Sequence, residues 1–264
     1  MVQDQGFGRA LLMACDATGY GSGDDQLQAA MQDGLIKVLD EAAIGAGLVR
    51  SEWDKNSTGD GELALLPATE SEPRVVDDFI RELDTALARH NRHLADSARL
   101  RLRVAIHYGV AYPASNGYAG QGVVAVSRLL DSAPIREAMR QSATELALIL
   151  SDGVYSETVV NGHTSLRPED FRNVEVRIKE FGARAWLWLP HGDVHSLPMT
   201  AQQADRPPPN RSAVEASATR GPQTDHGLGL PTADPGTERL SAHTEFYGPV
   251  HAPGSVFGID LSGR

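Results

Sequence analysis

The feature that most constrains the fold is a tight turn, Gly59-Asp60-Gly61, that leads directly into the apolar run Glu62–Leu66. Glycines flanking an acidic residue are typical of a β-hairpin, so Glu62–Leu66 is predicted to pair with Leu48–Trp53 across this turn. Further upstream, the apolar run Leu11–Cys15 is predicted to be another strand, and it ends in Asp16. Two carboxylates at the ends of neighbouring strands could hold divalent cations, because hard cations prefer several anionic oxygens.

The chain as far as Pro190 alternates predicted helices with predicted strands. Apolar residues at helical spacing predict helices over 27–42, 75–90 and 120–130, and a short helix over 152–159. Strands are predicted over 100–110 and 145–150, and a closing hairpin is predicted from 174–178 and 184–189 around Glu180-Phe181-Gly182. This alternation, with hairpins at two points, predicts an α/β protein of the α+β sandwich type.

The composition excludes several classes of protein. Among 264 residues there are 24 basic and 35 acidic side chains, a net charge of −11, which argues against a nucleic-acid binder or an anionic-membrane binder. The single cysteine, Cys15, excludes an intrachain disulfide and fits a reducing compartment. No apolar run approaches the ~20 residues of a membrane helix, and no signal peptide is evident, so a cytoplasmic location is expected.

The amino-acid composition changes after Pro190. Residues 191–244 are poor in large apolar side chains and rich in proline, so they are predicted to be a disordered linker. Residues 245–264 regain aromatic and β-branched residues, and the stretch Phe246–Leu261 resembles the amyloid-type signalling motifs of bacterial immune proteins. Self-assembly through this segment, docking onto a protein partner and simple disorder are the open alternatives.

Five segments, taken in order, carry a family resemblance. They are Asp16-Ala17-Thr18-Gly19-Tyr20, Thr58-Gly59-Asp60-Gly61, Arg103-Val104-Ala105-Ile106-His107-Tyr108-Gly109, residues 120–129, and Val176-Arg177-Ile178-Lys179-Glu180-Phe181. Together they resemble the catalytic domain of class III adenylate/guanylate cyclases, in a divergent bacterial form. The resemblance implies a ferredoxin-like nucleotidyl cyclase domain over residues 6–190.

The resemblance also implies a site. Asp16 and Asp60 would hold two Mg²⁺ or Mn²⁺ ions, and the backbone amides of Thr18, Gly19 and Tyr20 would cradle phosphates. By the same resemblance, Arg128 would stabilise the transition state and Lys179 would bind the β- and γ-phosphates. The family builds this site between two chains, which implies a head-to-tail homodimer acting on a nucleoside triphosphate.

Three positions depart from the family pattern. The usual Asn before the Arg falls on Val124, and the base-selecting Asp and Lys fall on Gln121 and Asn56, although Lys55 is adjacent to Asn56. The base is therefore not expected to be recognised in the usual way. Two interpretations stay open: a divergent cyclase in bacterial signalling or anti-phage defence, or a catalytically silent module that binds nucleotide or a protein partner and signals through its C-terminal segment.

Each proposed site residue also has a purely structural explanation that competes with its functional role. Asp16 could be a helix cap after a strand, and Asp60 could merely suit its turn. Arg128 could be a snorkelling or salt-bridged residue, and Lys179 an exposed strand residue. His107 and Cys15 are predicted to be packed residues of their strands. A ferredoxin-like sensor unrelated to cyclases is the third interpretation, and it requires the order of the motifs to be coincidence.

Overall fold

The computed structural model describes residues 8–57, 59–115 and 117–198. The predictions for the C-terminal segment 245–264, and for all but the first residues of the linker, lie outside this range. Packed structure continues past Pro190, because Val194 is buried and the Arg172 guanidinium donates hydrogen bonds to the carbonyls of Val194 and Leu197 (3.1 and 2.8 Å).

An eight-stranded sheet forms the middle layer. Its strands are β1 (Gly8–Ala17), β2 (Asp54–Ser57), β3 (Gly61–Leu66), β4 (Leu102–Ala114), β5 (Gly117–Ala119), β6 (Leu146–Ser151), β7 (Arg172–Ile178) and β8 (Phe181–Trp188). The order is β2-β3-β1-β4-β6-β8-β7, with β5 paired only to β4. Among the strand pairs of the described residues, only β4 and β6 run parallel.

Six helices flank the sheet within the described residues. They are α1 (Asp25–Gly45), α2 (Glu72–Arg74), α3 (Ile80–Asn91), α4 (Gln121–Leu130), α5 (Ala133–Gln141) and α6 (Asp152–Tyr155), with π-helical turns at Val75–Phe79 and Ser156–Val160. Because α1 follows β1 and α3 follows β3, the order β2-β3-β1-β4 is the ferredoxin-like arrangement. The predicted fold class is therefore confirmed. None of the helices in the described part of the chain is long and apolar enough to span a membrane.

The two faces of the sheet bury separate cores. Leu11, Met13 and Cys15 of β1 pack with α1 and α3, whereas Leu12 and Ala14 pack with α4 and α5. Successive side chains on a strand point to opposite faces, so a strand covered on both sides needs a continuous apolar run. This explains why β1 reads Leu-Leu-Met-Ala-Cys, and it confirms that Cys15 is a packed core residue.

The strand that forms the hairpin with β3 is not the predicted one. Leu48–Trp53 was predicted, but the pairing strand is Asp54–Ser57, with Ser57 opposite Glu62. The hairpin turn is short, so the paired strand must immediately precede it. The upstream residues instead form a 3₁₀ turn at Arg50–Glu52. The prediction for Leu48–Trp53 is wrong because its apolar residues, such as the buried Trp53, belong to a packed loop.

The closing hairpin is also shifted from its prediction. Ile178 pairs with Phe181, so the turn consists of Lys179 and Glu180 instead of Glu180-Phe181-Gly182. Lys179 adopts a left-handed conformation, with φ +54°, which a two-residue hairpin turn commonly requires. Strand β8 consequently begins at Phe181, earlier than the predicted start at Arg184.

Candidate functional site

Asp16 and Asp60 lie side by side where two strands meet. Strands β1 and β3 are antiparallel with Asp16 opposite Gly61, and the Ala17 amide donates to the Asp60 carbonyl at 2.7 Å. The hairpin turn before β3 therefore places Asp60 at the end of β1, next to Asp16. The structure brings together the two carboxylates that the sequence predicted as neighbours, while their binding of metal stays a prediction.

Asp16 is held by an arginine from the adjacent strand. Arg103 of β4 is opposite Asp16, and its Nε and Nη2 donate to the two carboxylate oxygens at 2.8 and 2.5 Å. Burial raises the pKa of Asp16, the Arg103 charge opposes this shift, and the nearby charge of Asp60 adds to it. An additional cation at this point would therefore relieve repulsion between Asp16 and Asp60.

An arginine-lined cleft opens beside these carboxylates. Its volume is about 410 Å³, and its wall includes the turn 17–21 after β1, Asp60, Met139 and four arginines. Arg101 immediately precedes β4, Arg103 belongs to β4, and Arg136 and Arg140 come from α5. In a chain of net charge −11, four arginines lining one cleft favour an anionic ligand.

The sequence prediction assigned no role to these arginines. Arg103 stands in one of the family-like segments, but its contact with Asp16 depends on the register of β1 and β4. Arg136 and Arg140 are four residues apart on α5, so they share a helix face. That spacing was the available signal, but no pattern showed that α5 would reach the cleft.

The turn after β1 provides less of a phosphate cradle than the sequence suggested. Thr18, Gly19 and Tyr20 all line the cleft, yet the Thr18 amide already donates to the Arg101 carbonyl at 2.8 Å. The Tyr20 hydroxyl accepts from Gln32 Nε2 at 2.5 Å. Only a 3₁₀ turn, Tyr20–Ser22, follows directly, and α1 begins later at Asp25. In this conformation the Thr18 amide is not available to a phosphate.

Lys179 lies far from this site within one chain. Asp16 is opposite Arg103 near the start of β4, and that end of the sheet also contains the start of β6 and of β7. Lys179 follows the last residue of β7, so it lies at the opposite end of the sheet, on an exposed hairpin tip. A single chain therefore does not bring Lys179 to Asp16.

Arg128 also stays outside the cleft. It is half-buried on α4, and among the described residues its side chain has neither a hydrogen bond nor an ion pair. The local explanation that it is salt-bridged within the chain is therefore not supported. Val124, one helical turn earlier, exposes 44% of its surface and offers no hydrogen-bonding group.

The two expected base-contacting residues flank the β4–β5 hairpin. The amide nitrogen of Asn56 lies 2.7 Å from the point where a Cβ on Gly117 would stand, so Asn56 packs against the tip of this hairpin. Gln121 is the exposed first residue of α4, two residues after β5 ends. Neither residue lines the arginine-rich cleft.

The donor set near Asp16 suits a divalent ion only in part. The described residues contain no cluster of three or more His, Cys, Asp or Glu side chains placed to hold a metal ion. Asp16 and Asp60 supply two hard anionic donors, and a carboxylate bound by an arginine retains lone pairs for a cation. The residues therefore fit Mg²⁺ or Mn²⁺, provided that other oxygens, such as those of a phosphate ligand, complete the coordination.

Comparison with known proteins identifies the fold. No protein-family model matches the chain, and no curated protein matches it. An adenylate/guanylate cyclase/hydrolase from Silicibacter pomeroyi superposes with a TM-score of 0.50 and 20% identity, over 70% of this chain and 99% of that one. The protein has the nucleotidyl cyclase fold.

Other solved structures with this cyclase fold are similar at lower scores. The adenylyl cyclase CyaB from P. aeruginosa matches at TM-score 0.45 and 11% identity, over 71% of this chain and 97% of that one. The guanylate cyclase domain of RhGC from Catenaria anguillulae, solved with GTP, matches at TM-score 0.44 and 14% identity, over 69% of this chain and 96% of that one.

Proposed function

We propose that the protein is a divergent nucleotidyl cyclase, which converts a nucleoside triphosphate to a 3′,5′-cyclic mononucleotide and pyrophosphate. The observation that carries this proposal is the pairing of Asp16 with Asp60 beside an arginine-lined cleft, within the nucleotidyl cyclase fold. Such a cleft suits a triphosphate, and adjacent carboxylates suit the metal ions that accompany one.

The reaction follows from the charges that must be controlled. The ribose 3′-oxygen bonds to the α-phosphorus, the bond from that phosphorus to the pyrophosphate oxygen breaks, and the hydroxyl proton passes to water. Two Mg²⁺ or Mn²⁺ ions held by Asp16 and Asp60 would neutralise the triphosphate and favour ionisation of the 3′-hydroxyl. Arg103 fixes the Asp16 carboxylate, and the cleft arginines offset the phosphate charge.

The proposed assembly is a head-to-tail homodimer. Arg128 lies outside its own cleft and Lys179 lies at the far end of the sheet. In the dimer, both residues would be supplied to each site by the other chain. A role in bacterial signalling or anti-phage defence stays a prediction from the family resemblance.

A second candidate function is a catalytically silent module that binds nucleotide or a protein partner. Two features favour it: Val124 stands where the family resemblance implies a hydrogen-bonding Asn on α4, and both Asp16 oxygens already accept a hydrogen bond from Arg103. Signalling would then pass through the C-terminal segment, which lies outside the described residues.

The test is a turnover assay on the purified full chain with Mn²⁺ and ATP, GTP, CTP or UTP in separate reactions, with products identified by mass spectrometry. A cyclic product that disappears in Asp60→Asn and persists in Asp96→Asn, a change at a surface position with 96% side-chain exposure, would support the cyclase. Absence of a cyclic product from all four nucleotides would instead favour the silent module.

A further inference from the structure

The four arginines of the cleft differ in how far their hydrogen bonds are already used. Arg101 donates to three main-chain carbonyls, those of Met139, Ser142 and Thr144, at 2.5 to 3.0 Å. These bonds tie the C-terminal end of α5 to the start of β4. Three of its five N–H donors are therefore committed to the backbone, so Arg101 mainly fixes the position of α5 and has only its Nη1 left for a ligand.

Arg103 is committed in a similar way. It forms the two-point contact with Asp16, and its Nη1 lies 3.5 Å from the Leu130 carbonyl at the end of α4. Only 11% of its side chain is exposed. Its contribution to an anion in the cleft is therefore mainly its charge.

Arg136 and Arg140 have most of their donors available. Each makes one ion pair with a carboxylate near it in sequence, Arg136 with Asp131 (2.7 Å) and Arg140 with Glu137 (3.0 Å). The two arginine side chains are 57% and 73% exposed, so these are surface ion pairs, which are weak and readily exchanged. A multiply charged anion could displace both carboxylates.

We infer that Arg136 and Arg140 of α5 bind the terminal phosphates of a nucleoside triphosphate in the same chain that supplies Asp16 and Asp60. Both residues line the cleft with Asp60 and the turn after β1, and α5 is held there by Arg101. Arginine matches phosphate oxygens with two parallel hydrogen bonds, so a pair one helical turn apart can clamp a polyphosphate chain. The nucleoside part of this assignment rests on the proposed function.

This arrangement differs from one that depends on Lys179 alone. Lys179 could reach the site only from another chain, whereas Arg136 and Arg140 reach it within one chain. Binding of the phosphate tail should therefore depend on α5 whether or not the protein turns substrate over. That dependence can be measured separately from catalysis.

The experiment measures binding of inorganic tripolyphosphate, pyrophosphate and orthophosphate to the full chain by isothermal titration calorimetry. We expect tripolyphosphate affinity to fall about tenfold for Arg136→Gln or Arg140→Gln, and further in the double variant. Arg140→Lys should lose less than Arg140→Gln, because it keeps the charge but not the forked geometry. Thermal melts of each variant check that the fold is intact.

The chain offers matched control arginines. Arg167→Gln and Arg177→Gln remove charges of similar exposure, 73% and 63%, that also sit in surface ion pairs but lie outside the cleft. These controls should leave tripolyphosphate affinity within about twofold, a residual effect of net charge alone. Equal losses in test and control variants would overturn the inference, and so would orthophosphate binding as tightly as tripolyphosphate.

The outcomes separate this inference from the proposed function. If a cyclic product forms and the KM of the protein for nucleotide is unchanged in Arg136→Gln and Arg140→Gln, the cyclase proposal stands and the inference is wrong. If no nucleotide is cyclised but tripolyphosphate binding still depends on these two arginines, the phosphate clamp stands and the cyclase proposal is wrong.

Discussion

At the scale of single residues, Asp16 is expected to affect the pH dependence of stability, because burial disfavours its charged form. Burial and the Asp60 charge raise its pKa, so the folded protein favours the protonated form more than the unfolded chain does. The stability that protonated Asp16 contributes is therefore present at low pH and is lost as the pH rises through the raised pKa of this residue. A divalent cation competes with this proton and should replace the lost stability at neutral pH.

We therefore expect Mn²⁺ to raise the melting temperature near neutral pH and to lose this effect as the pH falls through the raised pKa of Asp16. Each kcal/mol of binding energy should appear as a shift of roughly 2–4 °C for a domain of this size. Thermal melts with and without Mn²⁺ across a pH series provide the measurement. Asp60→Asn should abolish the shift and Asp96→Asn should retain it; equal shifts in both would exclude a metal site at Asp60.

His107 gives a second prediction at this scale. Burial, with the Arg9 charge, lowers its pKa, and its Nδ1 is buried without a partner among the described residues. Below about pH 6.5 the unfolded chain takes up this proton before the folded one, so the free energy of unfolding should decrease as the pH falls. The loss is about 1.4 kcal/mol for each unit by which the folded pKa is lowered.

Urea titrations between pH 7 and pH 5 measure this slope. His107→Gln should flatten it, and the same change at His163, whose side chain is exposed, should not. A residual slope is expected in His107→Gln, because burial also lowers the pKa of His90. If the His107 variant keeps the full slope, the histidine is not the group that destabilises the acid form.

At the scale of elements, α4 approaches β4 more closely than side chains would allow. A Cβ on Gly122 would lie 2.8 Å from the carbonyl carbon of Gly109 and from the Val110 oxygen, which are backbone atoms that cannot move aside. Glycine at this position is therefore what lets α4 pack against the strand, and it thereby fixes the position of Arg128. We expect Gly122→Ala to destabilise the protein by about 1–3 kcal/mol.

The control is Gly153 on α6, where an added Cβ would meet nothing within 4 Å. Gly153→Ala should be neutral or stabilising by up to about 1 kcal/mol, because alanine favours the helical conformation. Urea unfolding of both variants gives the comparison. Similar effects at the two positions would mean that the close contact between α4 and β4 does not contribute to stability.

The elements that could be predicted correctly from the sequence are those in which the apolar residues are also the buried ones. Strand β1 reads as a continuous apolar run because both of its faces are covered, and α1 shows helical spacing after the Asp24 cap, whose carboxylate accepts from the Leu27 amide at 2.8 Å. Strand β2 was mispredicted because Asp54–Ser57 is polar and exposed at the edge of the sheet, so the nearby apolar residues drew the prediction upstream.

The same distinction separates the residues of the candidate site that could be predicted from those that could not. The proximity of Asp16 and Asp60 could be predicted, because each follows or precedes an apolar strand and stands in a family-like segment. Helix α5 was not predicted, although Ile135, Ala138 and Met139 show helical spacing and are buried. The contribution of Arg136 to the cleft depends on the tertiary placement of that helix, for which the sequence contains no local signal.

At the scale of the whole molecule, a single chain does not bring all of the proposed residues into the cleft. Asp16 and Asp60 lie beside the cleft, whereas Arg128 lies outside it without a partner among the described residues. If Arg128 acts in catalysis, the simplest geometry is a site completed by a second copy, in which each dimer has two such shared sites.

Mixed dimers test this directly. The two subunits are co-expressed with different tags and purified through both tags, so that only mixed dimers remain. If the site is shared, a dimer of Asp60→Asn with Arg128→Ala contains one intact site and one doubly defective site. It should keep about half of the wild-type rate, although each variant alone is inactive.

The reciprocal dimer is the control, because it carries the same two substitutions in one chain. Wild type paired with the double variant Asp60→Asn/Arg128→Ala would have one substitution in each shared site, so we expect it to be inactive. The opposite result, an inactive first dimer and a half-active second one, would place both residues in a site within a single chain. The head-to-tail arrangement would then be wrong, because Arg128 would have to reach the cleft of its own chain.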